Sequence, residues 1–184
     1  PQLLAEILYR FMSHHWKSRA QIAVVANGSY QQPFYDILKY HELYGRLAVC
    51  DFNEALSKLG FAASDFTLVP SLFEPCGLPQ MVGQIYGSLP VVHDTGGLHD
   101  TVEHLDLNND KGNGFVFKIY DGRGLEWAMD KAMDFYKRPA EDREHHVARI
   151  MRDGLARFNH DVCAKAYFNI YEQMLNRPLV RSFE

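Results

Sequence analysis

The chain contains 184 residues, of which 47% are hydrophobic, and its formal net charge is −4 at pH 7. This length and composition allow one domain with a buried core, and the negative charge argues against a general nucleic-acid-binding protein, which is usually basic. No run of about 18 apolar residues is present, so no membrane-spanning helix is expected. The three cysteines form no CxxC pair, which favours a reducing compartment such as the cytoplasm.

The first third of the chain alternates helix and strand patterns. Residues 2–16 place apolar side chains on one face of a helix, and residues 33–41 predict a second helix. Short apolar runs at 22–26 and 46–50 predict buried strands. The next four residues, DFNE, are typical of a helix start, with Asp51 as the cap and an acid three residues later.

The middle of the chain contains two strand–turn–helix units. The runs FTLVP at 66–70 and LPVVH at 89–93 predict buried strands. SLFEPCGL at 71–78 forms the first turn. Pro79 suits the first position of a helix, because its φ is fixed and its missing N–H is not needed there. Thr95-Gly96-Gly97 forms the second turn and leads into another helix.

The last part of the chain predicts a loop, a strand and three helices. Turn residues dominate 106–114, residues 115–119 predict a strand, and Asp121 caps a helix. One apolar stripe of this helix is expected in the core, and it consists of Leu125, Ala128, Met129, Ala132, Met133 and Tyr136. The charged residues 140–155 predict a solvated helix. A final helix with an apolar face lies beyond residue 158.

The histidines give no metal-ligand pattern. Nine are scattered along the chain, and four of them form the adjacent pairs His14-His15 and His145-His146. Adjacent residues point to different sides of a helix, so each pair is expected to chelate poorly and to lie on the surface. The sequence therefore predicts no metal site.

The strand-to-helix turns of a parallel sheet lie on one edge of the sheet. Unpaired N–H groups at helix starts there favour anions, because they carry the positive end of the helix dipole. Glu74 stands inside the first of the two small-residue turns. Since a carboxylate repels phosphate, Glu74 is expected to accept hydrogen bonds from hydroxyl groups. Phosphate together with hydroxyl groups indicates a nucleotide sugar as the ligand.

FEPCGL at 73–78, followed by PVVHDTGGLHDTV at 90–102, closely resembles segments of bacterial glycogen synthases and plant starch synthases. These enzymes are retaining glucosyltransferases of the two-domain GT-B fold, and the resemblance runs from about residue 20 to residue 175. It implies an α/β fold, a Rossmann-like parallel sheet flanked by helices. The chain would be one donor-nucleotide-binding domain over 1–184, the carboxyl-terminal half of the fold.

The resemblance also implies parts that this chain lacks. The family's carboxyl-terminal domain begins with a strand and a basic turn, and nothing before Gln2 supplies either. The sheet is therefore expected to miss its first strand, which would make the chain poorly stable unless a partner fills the gap. The helix in 158–184 would pack on an amino-terminal domain that is absent here.

The implied reaction transfers glucose from ADP-glucose or UDP-glucose to the 4-hydroxyl end of an α-1,4-glucan, with retention of configuration. Glu74 would be the catalytic residue, which binds and orients the donor glucose. The backbone N–H groups of Cys76, Gly77 and Leu78 would lie near the glucose and the distal phosphate. The glycine suits this place because a bare backbone can approach a ligand closely.

Thr95, Gly96 and Gly97 would start their helix beside the ribose and the phosphates of the donor, and the alternative is simple close packing of helix on strand. Phe52 matches the family's aromatic residue that faces the adenine ring of the donor. The alternative role for Phe52 is to pack the helix that follows it onto the sheet. Pro79 departs from the family, which often has Thr there, so it offers phosphate neither a hydroxyl nor an N–H.

The resemblance implies no cofactor and no metal, because GT-B enzymes generally need none. The partners would be the nucleotide sugar, the α-glucan and the missing amino-terminal domain, with a homo-oligomer left open and neither nucleic acid nor membrane expected. The location would be the cytoplasm, or a plastid if the chain is of plant type. The 184 residues alone are expected to be inactive. Another retaining GT-B transferase and a non-catalytic nucleotide-sugar-binding domain remain open as alternatives.

Overall fold

The computed structural model describes residues 2–177 as an alternation of helices and short strands. The helices are α1 Gln2–His14, α2 Gln31–Tyr40, α3 Glu54–Ala63, α4 Pro79–Tyr86, α5 Gly96–Thr101, α6 Gly122–Tyr136, α7 Ala140–Arg157 and α8 His160–Leu175. The strands are β1 Ile22–Val25, β2 Leu47–Cys50, β3 Phe66–Val69, β4 Leu89–His93 and β5 Phe115–Phe117. None of the helices described is both long enough and apolar enough for a membrane crossing.

All strand pairs are parallel, which confirms the predicted α/β class with helices flanking a parallel sheet. The five strands do not form one sheet, however. β1 pairs with β2, and β3, β4 and β5 form a separate three-stranded sheet with β4 in the middle. Within residues 2–177, β1, β2, β3 and β5 therefore each have one edge that pairs with no strand.

The core confirms the predicted helix α1. Its apolar residues recur at helical spacing and share one face, which packs against α6. The buried residues of this face are Leu3, Leu4, Ile7, Leu8, Phe11 and Met12. In α6 the predicted stripe is buried from Leu125 to Met133, but its last member, Tyr136, is exposed and Phe135 is buried instead.

Two helices near the carboxyl end differ in how they are covered. The charged helix α7 was expected to be solvated, but it packs on α4 and buries His146, Ile150 and Gly154. The helix is present as predicted and most of its residues are exposed or half-buried, but the prediction missed the small and apolar residues spaced along its one buried face. α8 has no buried residue, and its apolar side chains expose about half of their surface or more.

Helices α3, α4 and α6 each begin shortly after a strand, and the residues at their starts differ in part from the prediction. Asn53 caps α3 by accepting a hydrogen bond from the Leu56 N–H, so the cap is not Asp51 as the spacing predicted. Asp121 caps α6 as predicted, and Pro79 occupies the first turn of α4. Each of these helices begins just beyond the carboxyl end of a parallel strand, and α3 does so in the two-stranded sheet while α4 and α6 do so in the three-stranded sheet.

Candidate functional site

The predicted site residues follow the carboxyl ends of three parallel strands. Phe52 comes two residues after β2, the segment 73–78 lies between β3 and α4, and Thr95 lies between β4 and α5. β3 and β4 are hydrogen-bonded neighbours, with Phe66 opposite Leu89. The turns after these two strands are therefore adjacent, whereas Phe52 belongs to the other sheet.

The two turns are in direct backbone contact. The Gly97 N–H donates to the Glu74 carbonyl oxygen at 2.9 Å. A Cβ atom at Gly96 would lie 2.1 Å from that same oxygen, and one at Gly97 would lie 2.2 Å from the Cys76 carbonyl oxygen. Gly96 also has φ of +46°. Only glycine fits at either position, and the close contacts are with the neighbouring turn rather than with a strand, as the alternative role of these glycines had supposed.

A buried glutamine that the sequence analysis missed holds the first turn. Gln80 is fully buried, and its Nε2 donates to the carbonyl oxygens of Cys76 at 3.0 Å and Gly77 at 2.9 Å. The same amide nitrogen lies 3.1 Å from the Thr101 hydroxyl oxygen, at the end of α5. Gln80 therefore ties the turn after β3 to both α4 and α5. Its only sequence signal was a polar residue on the inner face of a short helix.

Further hydrogen bonds connect Thr101, at the end of α5, with α4 and with the loop before β5. The Thr101 hydroxyl donates to the Gly97 carbonyl oxygen at 2.5 Å. The Asn113 amide nitrogen donates to the Thr101 carbonyl oxygen and to Gln84 Oε1, both at 2.9 Å. A partly buried hydrogen-bonded network thus connects the turn, the two short helices and the loop before β5, while Gln80 Oε1 and Gln84 Nε2 make no hydrogen bond among residues 2–177.

The start of α4 presents backbone N–H groups. Among residues 2–177, the N–H groups of Cys76, Gly77 and Leu78 donate to no protein acceptor. The side chains of Cys76 and Leu78 are exposed, and Gly77 has φ of +75°, a conformation that glycine adopts without strain. Unpaired N–H groups at a helix start are suited to an anion.

Glu74 is half-buried between these groups and β4. Its carboxylate accepts a hydrogen bond from the Ser71 hydroxyl at 3.3 Å. The Ser71 carbonyl oxygen in turn accepts from Nδ1 of His93, which is 8% exposed. Glu74 does not cap α4, since the cap residue is Leu78 and makes no side-chain cap bond. Most of the carboxylate's hydrogen-bonding capacity is therefore available to a ligand.

Phe52 follows β2 and is exposed. Its ring is 56% exposed, and its N–H donates to Asn27 Oδ1 at 2.8 Å, which joins the turns after β1 and β2. No ring contact or hydrogen bond of the described residues links Phe52 to Glu74 or to the turns around it. The structure therefore joins the predicted turns after β3 and β4 by direct contacts, whereas Phe52 precedes α3, a helix that packs against α4.

A groove of about 960 Å³ borders the site beyond α5. Asp94 and His99 form its near wall, and the Asp94 carboxylate, 2.6 Å from His99 Nδ1, raises the pKa of the imidazole. Neither Glu74 nor residues 76–78 line the groove. We therefore place the candidate site at the free N–H groups and Glu74 rather than in this larger space.

Replacing Gln80 by leucine is expected to lower the free energy of unfolding by about 2 kcal/mol, because two carbonyl oxygens in the turn lose their donor. Loss of the unpaired Gln80 Oε1 offsets part of this effect. Urea denaturation followed by circular dichroism measures the change. The exposed residue Gln32 is the matched control, and its replacement by leucine should change stability by less than about 0.5 kcal/mol. Equal effects of the two substitutions would mean that Gln80 does not hold the turn.

Comparison with known proteins places the chain among glucan synthases. No profile of a known protein family matches it. It is 36% identical over 179 residues to a glycogen synthase of Desulforudis audaxviator. The alignment covers 95% of this chain and 34% of that protein. It is 41% identical over 125 residues to a glycogen synthase of Streptococcus sanguinis. That alignment covers 67% of this chain and 25% of the relative.

Solved structures agree with the sequence relatives. The catalytic domain of starch synthase IV from Arabidopsis thaliana, bound to ADP and acarbose, superposes with a TM-score of 0.75 and 28% identity over 94% of this chain and 36% of that one. A glycosyltransferase from Rickettsia africae, at 16% identity and a TM-score of 0.73, shares the fold. The chain is therefore a homologue of the glycogen and starch synthases, which are GT-B glycosyltransferases, and it spans about a third of the length of the relatives it matches.

Proposed function

We propose that the chain supplies the donor-binding half of a retaining glucosyltransferase of the glycogen and starch synthase type. The reaction would transfer glucose from ADP-glucose or UDP-glucose to the 4-hydroxyl end of an α-1,4-glucan. The observation that carries this proposal is the 36% identity to a glycogen synthase over 95% of the chain. The related starch synthase domain with ADP and acarbose supports the same class of ligands.

The proposed donor site uses the start of α4. In the reaction the bond between the glucose C1 and the diphosphate breaks, and the departing diphosphate gains negative charge. The N–H groups of Cys76, Gly77 and Leu78 would stabilise that charge, because they are already oriented and lack protein acceptors among residues 2–177. Pro79 offers no N–H, so these three residues and the dipole of α4 carry the interaction. No metal enters this proposal.

Glu74 is proposed to orient the donor glucose. Its carboxylate retains acceptor capacity beyond the bond from Ser71, and it lies in the same turn as the free N–H groups. Sugar hydroxyls are donors that match such a carboxylate. Because the Glu74 carbonyl oxygen accepts from the Gly97 N–H, the position of the residue is set by the contact between the two turns.

A second domain is part of the proposal. The chain spans about a third of its relatives, and α8 exposes an apolar face that nothing in residues 2–177 covers. We propose that this face packs on the amino-terminal domain of a two-domain transferase, which would provide the acceptor groove. The face consists of Tyr167, Phe168, Ile170, Tyr171, Met174 and Leu175. The proposed location is the cytoplasm, in keeping with three free cysteines.

Glu74→Ala tests the proposed site in a protein that contains both domains. Glucan elongation should fall by roughly 100-fold or more, because transition-state contacts to the sugar are lost, while the Kd for ADP changes by less than about threefold. Elongation is measured with ADP-glucose and UDP-glucose, and ADP and UDP binding by calorimetry. Glu144→Ala, at an exposed position of α7, is the control and should change neither value.

Two outcomes would overturn parts of the proposal. Loss of ADP binding in Glu74→Ala would show that the residue holds the nucleotide rather than the sugar. Failure of the unaltered two-domain protein to elongate glucan with either donor would remove the transferase assignment. The 184-residue chain alone should show no measurable elongation, since it lacks the groove for the acceptor.

A further inference from the structure

Three side chains converge where the loop before β5 meets helix α7. Asp110 Oδ1 lies 3.1 Å from His145 Nε2 and 3.4 Å from His146 Nδ1. The potential ligand atoms of the three residues all lie within 4.8 Å of one another. The adjacent histidines were expected to lie on the surface and to be poor chelates, but His146 is only 2% exposed. Both rings nevertheless reach the same carboxylate, which belongs to the loop before β5.

His146 is incompletely satisfied in this environment. Its Nδ1 is buried and makes no hydrogen bond, although it faces Asp110. Its other nitrogen, Nε2, lies 3.7 Å from Asp142 Oδ1, and Asp142 also accepts a hydrogen bond from Arg138. A buried imidazole nitrogen without a partner is costly in a folded protein. The observation calls for a group that would occupy the space between Nδ1 and the carboxylate.

We infer that Asp110, His145 and His146 form a site for a borderline divalent transition metal such as Zn²⁺. In tetrahedral zinc sites, bond lengths near 2 Å place neighbouring ligand atoms about 3.3 Å apart, and the two measured distances to Asp110 Oδ1 are close to that spacing. Two imidazoles and one carboxylate are ligands that zinc accepts, with water in the fourth position.

The surroundings of His146 fit a metal ligand. A ligating histidine commonly has a carboxylate near its second ring nitrogen, which fixes the ring, and Asp142 stands on that side. None of the three ligands belongs to the proposed donor site, so the inference does not depend on the proposed transferase function.

The metal would fasten a loop to a helix. The same loop is already held to α7 by Arg149, whose Nη2 donates to the Gly112 carbonyl oxygen at 2.8 Å. α7 in turn packs against α4, which begins in the candidate site. A bound cation would thus stabilise the contact between the loop and α7. Its role is structural, because none of its ligands belongs to the proposed donor site.

The chain contains a matched comparison for the test. His14, His15 and Asp130 form a second adjacent histidine pair beside a carboxylate. There His15 Nε2 already lies 2.7 Å from Asp130 Oδ1 in a hydrogen bond, and neither ring leaves a buried nitrogen unpaired among residues 2–177. A metal there would displace a 2.7 Å hydrogen bond and satisfy no unpaired buried nitrogen, whereas a metal at Asp110 would displace the longer bond from His145 and satisfy His146 Nδ1, so the second cluster should bind metal more weakly.

Zn²⁺ titration by calorimetry, together with the thermal unfolding midpoint in the same Zn²⁺ series, tests the inference on the whole chain. The unaltered chain should bind about one Zn²⁺ saturably and unfold at a higher temperature as Zn²⁺ is added. His145→Ala, at an exposed residue, should weaken binding by at least about tenfold. Asp110→Asn should do the same, and asparagine tolerates the left-handed backbone of that residue, where φ is 52°.

The paired controls are His14→Ala and Asp130→Asn, which should leave the Zn²⁺ affinity unchanged within about twofold. All variants keep the three free cysteines, so zinc bound by thiols would contribute equally and cancel. Mg²⁺, which prefers oxygen ligands, should produce no shift. Equal losses in the test and control variants, or no saturable Zn²⁺ binding by the unaltered chain, would overturn the inference.

Discussion

Gly97→Ala is expected to disrupt the candidate site and to lower the free energy of unfolding by roughly 3 kcal/mol or more. The added methyl group would lie 2.2 Å from the Cys76 carbonyl oxygen and 2.5 Å from the Cys76 Cα. Both are backbone atoms, so no side-chain rotation can relieve the overlap. The turn must move, which breaks the hydrogen bond from the Gly97 N–H to Glu74. Urea denaturation measures the stability loss, and calorimetry in the two-domain protein should show weakened ADP binding.

Gly60→Ala is the matched control for this substitution. Gly60 lies within α3, and a Cβ atom there meets nothing within 4 Å. Alanine in a helix interior should therefore stabilise the chain by roughly 0.5–1 kcal/mol. The same chemical change thus has opposite signs at the two positions. If Gly97→Ala differed from Gly60→Ala by less than about 0.5 kcal/mol, the two turns would not be in contact.

The elements of the fold were predictable because their signals are local. The five apolar runs became the five strands, and the apolar face of α1 was buried as its spacing predicted. Parallel pairing followed from the alternation of strand and helix. The division into two sheets could be anticipated only through the family resemblance, since no local pattern reports which strands are neighbours.

The candidate site was partly predictable for a similar reason. The glycine turns and Glu74 were visible as residue types, and their place after β3 and β4 followed from the topology. Gln80 could not be found, because its importance lies in contacts to the carbonyl oxygens of Cys76 and Gly77 that only the folded turn creates. A glutamine in a helix is ordinarily a surface residue.

The histidine pairs show the limit of reasoning from spacing. Adjacent residues do point to different sides of a helix, but the surroundings of each side depend on what packs there. His15 is buried beside Asp130, and His146 is buried beside Asp110 and Asp142. In sequence, Asp130 and Asp110 are 35 or more residues from the histidines that they contact. The burial of these histidines therefore could not be predicted from neighbouring residues.

The open edges of the two sheets should appear as an alternating pattern of amide hydrogen exchange. In β1 the N–H groups of Ile22 and Ala26 donate to β2, so in a parallel ladder the N–H of Ala23 and Val25 points to the other edge. Residues 66 and 68 of β3 face its open edge in the same way, since the Asp65 carbonyl oxygen accepts from β4. These four amides should exchange about 1000-fold faster than their paired neighbours, because exchange of the neighbours requires the ladder to open.

The neighbours on the same strands are the internal control, since fraying would accelerate all amides of a strand together. β4 has partners on both edges, so its amides should be slow without alternation. Mass spectrometry or NMR resolves the pattern. Uniform protection along β1 and β3 would contradict the prediction and would mean that another strand, from a second copy or a rearranged sheet, covers both edges. In a two-domain protein with the family's first strand, the four fast amides should become slow while the remaining amides keep their rates.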